Sequence, residues 1–241
     1  VDVIGQALPA LTRDRAFQSL LLGWLFASFL PGMGGGGVPV AVSAPLLVGL
    51  GYTPVQAVLM ACIGHGWAVN FGSMATSFQT LMAVTGLPAE VLAPDSSIFL
   101  GGACLACGMI VTFVGDGWKK MLQIFPVTAV ISIVMAVAQY LLTTHGVYTL
   151  GATGAAMAGL VVGILITRLP AYRGNGFKNG LREQIPGAKK LPPLNIALSA
   201  YVILVILAFA MNLIPAVNSL VDSVQFTLPF PELHTRSGFV M

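Results

Sequence analysis

Apolar runs separated by short polar or glycine-rich interruptions account for most of the chain, at 17–30, 38–50, 55–84, 97–114, 121–142, 150–167 and 196–213. The last four have about the twenty residues a helix needs to cross a bilayer. The first two do not. At 14 residues, the run 17–30 reaches roughly 21 Å against a hydrocarbon core of about 30 Å. Between these two short runs lies PGMGGGG, with Gly34, Gly35, Gly36 and Gly37 in succession. Backbone at membrane depth leaves helical geometry only where it is buried in protein or lines a cavity. The pattern therefore predicts a glycine-broken re-entrant hairpin over 17–50, its two ends on the same side, although two full short crossings would put the ends on the same sides. The run 55–84 is long for one span, and Gly64, Gly66 and Gly72 weaken its middle. It predicts a discontinuous helix, two halves joined by an unwound stretch at 64–73. The two breaks, in successive elements, are expected to meet in one polar site.

Composition agrees with this pattern. Of 241 residues, 56% are hydrophobic and 8% charged, with mean hydropathy +0.90, whereas a soluble domain carries about 25% charged residues. The expected fold class is all-α, a polytopic membrane protein. Six basic residues (Arg168, Arg173, Lys178, Arg182, Lys189, Lys190) face one acid, Glu183, in the segment 168–190. Such a cluster marks a cytoplasmic loop, here 168–195. Against so apolar a background it gives no reason to expect a nucleic-acid partner. Counting spans back from that loop puts 115–120, 51–54 and Arg13 and Arg15 inside, and the acidic loop 85–96 outside. Every basic residue except Arg236 then lies in the cytoplasm. The expected organisation is a transport region over 1–167, the basic loop 168–195, and a further span with the start of an external segment over 196–241. Within 1–167 come the hairpin 17–50, the broken helix 55–84 and the spans 97–114, 121–142 and 150–167. Val1 in place of an initiator methionine, with no signal peptide, fits a segment of a longer protein.

A small anion inside a membrane needs hydrogen-bond donors, and two kinds are present. Backbone amides at Gly34–Gly37 and at a helix start near Val38 and Pro39 offer a positive dipole end to a carboxylate. A tight hinge or a close helix contact is the plainer structural use of the same glycines. Side chains are Ser43 after the first break, and His65, Trp67, Asn70, Ser73, Thr76 and Ser77 around the second. His65 is the sole ionisable side chain between Arg15 and Glu90 apart from the tyrosine and cysteine. It is the candidate to carry a proton or pair with an anion, or it bonds a carbonyl of the broken helix. Cys104 and Cys107 form a CxxC inside an apolar run, where small residues serve helix packing. No second such pair accompanies them, so no metal or cofactor is expected. Asp116, in GDGWKK, is expected to cap a helix and pair with Lys119 and Lys120 at the surface.

PVAVSAPLLVGLGYTPVQA after a glycine-rich break, GDGWKK, AVAQYL at 136–141 and VQFTLPFPEL stand in the order of matching segments in the bacterial L-lactate permease family, which the chain resembles over nearly all its length. The resemblance implies a secondary transporter of inverted-repeat build in the bacterial cytoplasmic membrane, about twice as long as this chain. Its implied task is uptake of lactate, glycolate or similar 2-hydroxymonocarboxylates with protons. The positions it carries over are Gly32, Gly35, Gly37, Pro39, Val40, Ala41, Phe71 and Gly72. Two departures stand out: Pro31 where the family usually has glutamate and Gly36 where it has phenylalanine, and His65-Gly66 in place of an asparagine-threonine pair. They leave open another organic anion, a sodium gradient, or a non-transporting membrane subunit. An intramembrane enzyme is not expected: Asp116 has no acidic partner within a span, and a Ser43–His65 couple would have no orienting carboxylate nearby in sequence.

Overall fold

The innermost element is the first helix, whose sequence offers no polar face to solvent. In the computed structural model, which describes residues 12, 14–31 and 37–169 together with Ile203 and Ile206, this helix is α1. It runs through Arg15–Leu20, widens to a π-helical stretch at Leu21–Phe26, and resumes at Ala27–Phe29. The Asp14 carboxylate caps it, accepting the Phe17 amide hydrogen at 3.1 Å. Phe17, Leu20, Leu21, Leu22, Trp24 and Leu25 are all fully buried, as a helix apolar on every side must be.

Among the described residues six further α-helices follow: α2 (Val38–Gly49), α3 (Pro54–Gly66), α4 (Thr76–Thr85), α5 (Ala89–Asp116), α6 (Trp118–Thr144) and α7 (Gly151–Ile166). Pro39 sits in the first turn of α2 and Pro54 in that of α3, where a missing amide hydrogen costs nothing. Thr53 and Gln56 close a reciprocal capping box on α3. The chain divides into two compact units, 1–205 and 206–241, and all these helices belong to the first. The expected span 196–213, apart from Ile203 and Ile206, and most of the basic loop lie outside the described residues.

Among the described residues every regular element is helical. Three helical segments, Ala89–Asp116, Trp118–Thr144 and Tyr148–Ile166, are long and apolar enough to cross a bilayer. This is the all-α polytopic membrane fold that the hydrophobic pattern predicts. Phe99, Ile133, Leu141 and Val161 lie exposed on the outer faces, where lipid takes the place of solvent. The inner faces are small. Gly101 abuts Ala136, and Gly108 fits between Thr128 and the Trp24 ring. Gly151, Gly159 and Gly163 of α7 admit Thr143, Met135, Leu25 and Leu21, the small-residue packing by which helices associate in lipid. A single residue, Gly117 at φ +83°, turns the chain from α5 into α6. A side chain there would be strained.

Candidate functional site

The second helix break is built around α1. At the α1–α3 crossing, Gly64 lies directly on the Gly23 carbonyl oxygen, with no room for a Cβ. The Ser28 hydroxyl donates to the Gly64 carbonyl at 3.0 Å and accepts the indole hydrogen of buried Trp67 at 2.8 Å. Beyond Gly66 the helix stops, and regular α-structure resumes only at Thr76. Within the gap, Ser73, Met74 and Ala75 all have positive φ, at +49°, +58° and +59°. Left-handed backbone costs L-residues roughly 1–2 kcal/mol each, and strain of this kind clusters at functional sites. The turn is secured by the Ala75 amide donating to the Gly72 carbonyl at 2.8 Å and the Thr76 hydroxyl donating to the Ser73 carbonyl at 2.7 Å. Phe71 and Phe78 pack at 4.9 Å between ring centres, and Phe78 and Tyr148 at 5.4 Å.

This strained turn reaches the edge of the first break. The Ser73 hydroxyl donates to the Pro31 carbonyl at 3.4 Å. A Cβ on Gly72 would lie 3.5 Å from Pro31 Cβ and 2.8 Å from the Ala68 carbonyl oxygen. Gly32, Gly34, Gly35 and Gly36 lie outside the described residues. Gly37 is exposed at the start of α2, with open space around it. Val38 and Val40 are half-buried, Pro39 is buried and Ala41 exposed. Ser43 is fully buried, and its hydroxyl has no hydrogen-bond partner among the described residues. Asn70 is half-buried within the second break, while Thr76 and Ser77 are exposed. His65 is half-buried, its Nδ1 2.6 Å from the Ala61 carbonyl of its own helix. Since a carbonyl only accepts, Nδ1 carries the hydrogen and Nε2 is the free position.

Asp116 is placed differently from the expectation. Lys119 and Lys120 are exposed, and Asp116 turns inward. Its Oδ2 accepts from the Tyr52 hydroxyl at 2.9 Å and the Ser19 hydroxyl at 3.3 Å. Its Oδ1 lies 3.7 Å from Arg15 Nε. The Arg15 guanidinium lies 4.5 Å from the centre of the Tyr52 ring and donates to the Gly51 carbonyl at 3.2 Å. These contacts tie the start of α1, the end of α2 and the end of α5 together at one level. Tyr52, in the α2–α3 connection, has its pKa pushed up to about 12, first by burial and then by the negative charge of Asp116. Sequence reasoning also passed over Ser28 and Gln139, whose one available signal was a polar residue inside an apolar run.

Three membrane-length helices packed with shorter, interrupted ones make this an all-α polytopic membrane protein. Within that class the chain belongs to the L-lactate permease family, whose family model matches residues 1–236. It is 34% identical over 140 residues to the L-lactate permease of Bacillus subtilis (strain 168), covering 58% of this chain and 25% of that protein. With the L-lactate permease of Streptococcus iniae it shares 29% identity over 239 residues, 95% of this chain and 47% of the relative. Glycolate permease GlcA of Escherichia coli (strain K12) is 28% identical over 144 residues, 60% of this chain and 26% of GlcA. The chain thus spans from a quarter to about half the length of these relatives. No solved structure matches it.

Proposed function

We propose that this chain forms the substrate-binding half of a secondary transporter, one that takes up lactate, glycolate or a related small 2-hydroxymonocarboxylate with protons across the bacterial cytoplasmic membrane. The observation that carries this reading is the contact of the second helix break, at Gly72 and Ser73, with Pro31, the residue that precedes the glycine-rich segment, inside an apolar bundle of a lactate permease family member. A carboxylate held there would accept hydrogens from amides of Gly34, Gly35, Gly36 and Gly37 and from the first turn of α2 at Val38, where the helix dipole is positive. Pro39 shapes that turn. Ser43, Asn70 and Ser73 supply side-chain hydrogen bonds, and Gly72 keeps the second break close to the first. Ser43 suits the role because its buried hydroxyl has no other partner among the described residues.

The contact between Arg15, at the start of α1, and Gly51, just past α2, is one that a hairpin over 17–50 and two short crossings both require. That contact brings both ends of the element to one side. The basic residues of the same end, Arg15, Lys119 and Lys120, favour the cytoplasmic side for it. His65 is the proposed proton carrier, working through Nε2 while Nδ1 stays bonded to Ala61. An inverted second repeat supplied by the rest of the protein would face this half across the site.

The test is uptake of labelled lactate and glycolate by the full-length protein in proteoliposomes, with and without an inward proton gradient. Gradient-stimulated uptake of either is expected, and uptake of neither refutes the reading. His65→Gln is expected to flatten the pH dependence of uptake. An unchanged profile would leave the histidine a structural role only.

A further inference from the structure

Gln139 of α6 is fully buried, and neither its side-chain nitrogen nor its oxygen has a hydrogen-bond partner among the described residues. Moving an amide from water into apolar surroundings without a compensating hydrogen bond is strongly unfavourable. Nearly all buried polar groups are therefore paired. A leucine would fill the same space without that cost, so packing gives no account of the residue.

Its position does. Met135, Gln139 and Thr143 follow one another at intervals of four along a single face of α6. Thr143 packs against Gly151 and Met135 against Gly159. The antiparallel register of α6 and α7 then sets Gln139 opposite Ala155, on the stripe of small residues. On the same stripe Leu25 of α1 packs against Gly159 and Gly163, and the final turn of α1 before Pro31 also lies on α7. At its other end, Phe71 of the second break packs against Gly151 beside Thr143. Gln139 thus occupies a seam that runs between the last turn of α1 and Phe71 of the second break. One turn along the same face the Thr143 hydroxyl is already committed: it donates to the Gln139 backbone carbonyl at 2.9 Å and shares a 2.7 Å bond with Ser97 of α5.

We propose that Gln139 is a specificity-determining residue that reads the 2-hydroxyl group of the transported acid. This rests on the monocarboxylate reading above. A carboxamide both accepts and donates. Its oxygen takes the hydrogen of the 2-hydroxyl while its nitrogen donates to the adjacent carboxylate. Propionate, which lacks the hydroxyl, leaves the oxygen unpaired and is disfavoured.

The experiment compares labelled lactate with labelled propionate in proteoliposomes of the full-length protein, unaltered and as Gln139→Leu and Gln139→Met. Thermal stability in detergent is measured alongside. Both variants are expected to lose the preference for lactate over propionate by about tenfold or more, with stability unchanged or higher, because an unpartnered amide has been removed. A retained preference overturns the proposal, and so does a fall in stability in both variants, which would make the amide structural. If the unaltered protein takes up neither acid, the monocarboxylate reading itself falls. Normal lactate uptake with unaltered discrimination in the variants removes only the role of Gln139.

Discussion

Gly64 and Gly66 stand two residues apart in α3, and the structure assigns them opposite responses to alanine. A methyl group on Gly64 would fall on the Gly23 carbonyl oxygen, with the Gly23 carbonyl carbon at 2.8 Å and Trp24 Cα at 3.0 Å. All three are backbone atoms and cannot rotate aside, so α1 and α3 must move apart. Overpacking of this kind costs about 1–3 kcal/mol. Separation also stretches the Ser28–Gly64 and Trp67–Ser28 hydrogen bonds, each contributing about 0.5–1.5 kcal/mol. Together these give a loss of about 2–6 kcal/mol for Gly64→Ala. At Gly66 nothing lies within 4 Å of an added Cβ, so Gly66→Ala gains up to about 1 kcal/mol of helix propensity. The assay is thermal unfolding of the two variants in the same detergent, followed by tryptophan fluorescence. Gly64→Ala is expected to melt well below the unaltered protein and Gly66→Ala at or above it. Equal melting temperatures for the two variants would refute the close crossing of α1 and α3.

The cluster of Arg15, Tyr52 and Asp116 gives two more predictions. Asp116→Asn removes the charge that draws Arg15 and strengthens the Tyr52 hydrogen bond. With the Arg15 side chain about half exposed, the loss is about 1–2 kcal/mol, read as a lower melting temperature that Lys119→Ala does not reproduce. A pH titration followed by phenolate absorbance is expected to show one tyrosine ionising near 12, absent in Tyr52→Phe and shifted down in Asp116→Asn. Because the fold raises this pKa above the ordinary 10.0, the stability tied to neutral Tyr52 is fully present below about pH 10. It is lost as pH rises through the folded value. A Tyr52→Phe variant whose stability declines identically between those limits would contradict this assignment.

What the sequence determined by itself follows from one-dimensional physics. Lipid demands long apolar runs, so the all-α membrane class and α5, α6 and α7 are legible from hydropathy and length. Glycines inside an apolar run weaken a helix wherever they fall, so an interruption of the helix that begins at Pro54 is legible too. Tertiary structure decided which groups meet, because partners on different helices depend on crossing angles and register that no local pattern encodes. Asp116 reads locally as a partner for Lys119 and Lys120. The turn at Gly117 instead leaves both lysines exposed and aims the carboxylate at Tyr52 and Arg15. Ser28 becomes informative only because α1 crosses α3 closely enough to reach Gly64 and Trp67. Gln139 is one polar letter in an apolar run until the packing of α6 on α7 buries it without a partner among the described residues. Hydrophobicity set where the chain enters lipid, and helix contacts set which polar groups face one another inside it.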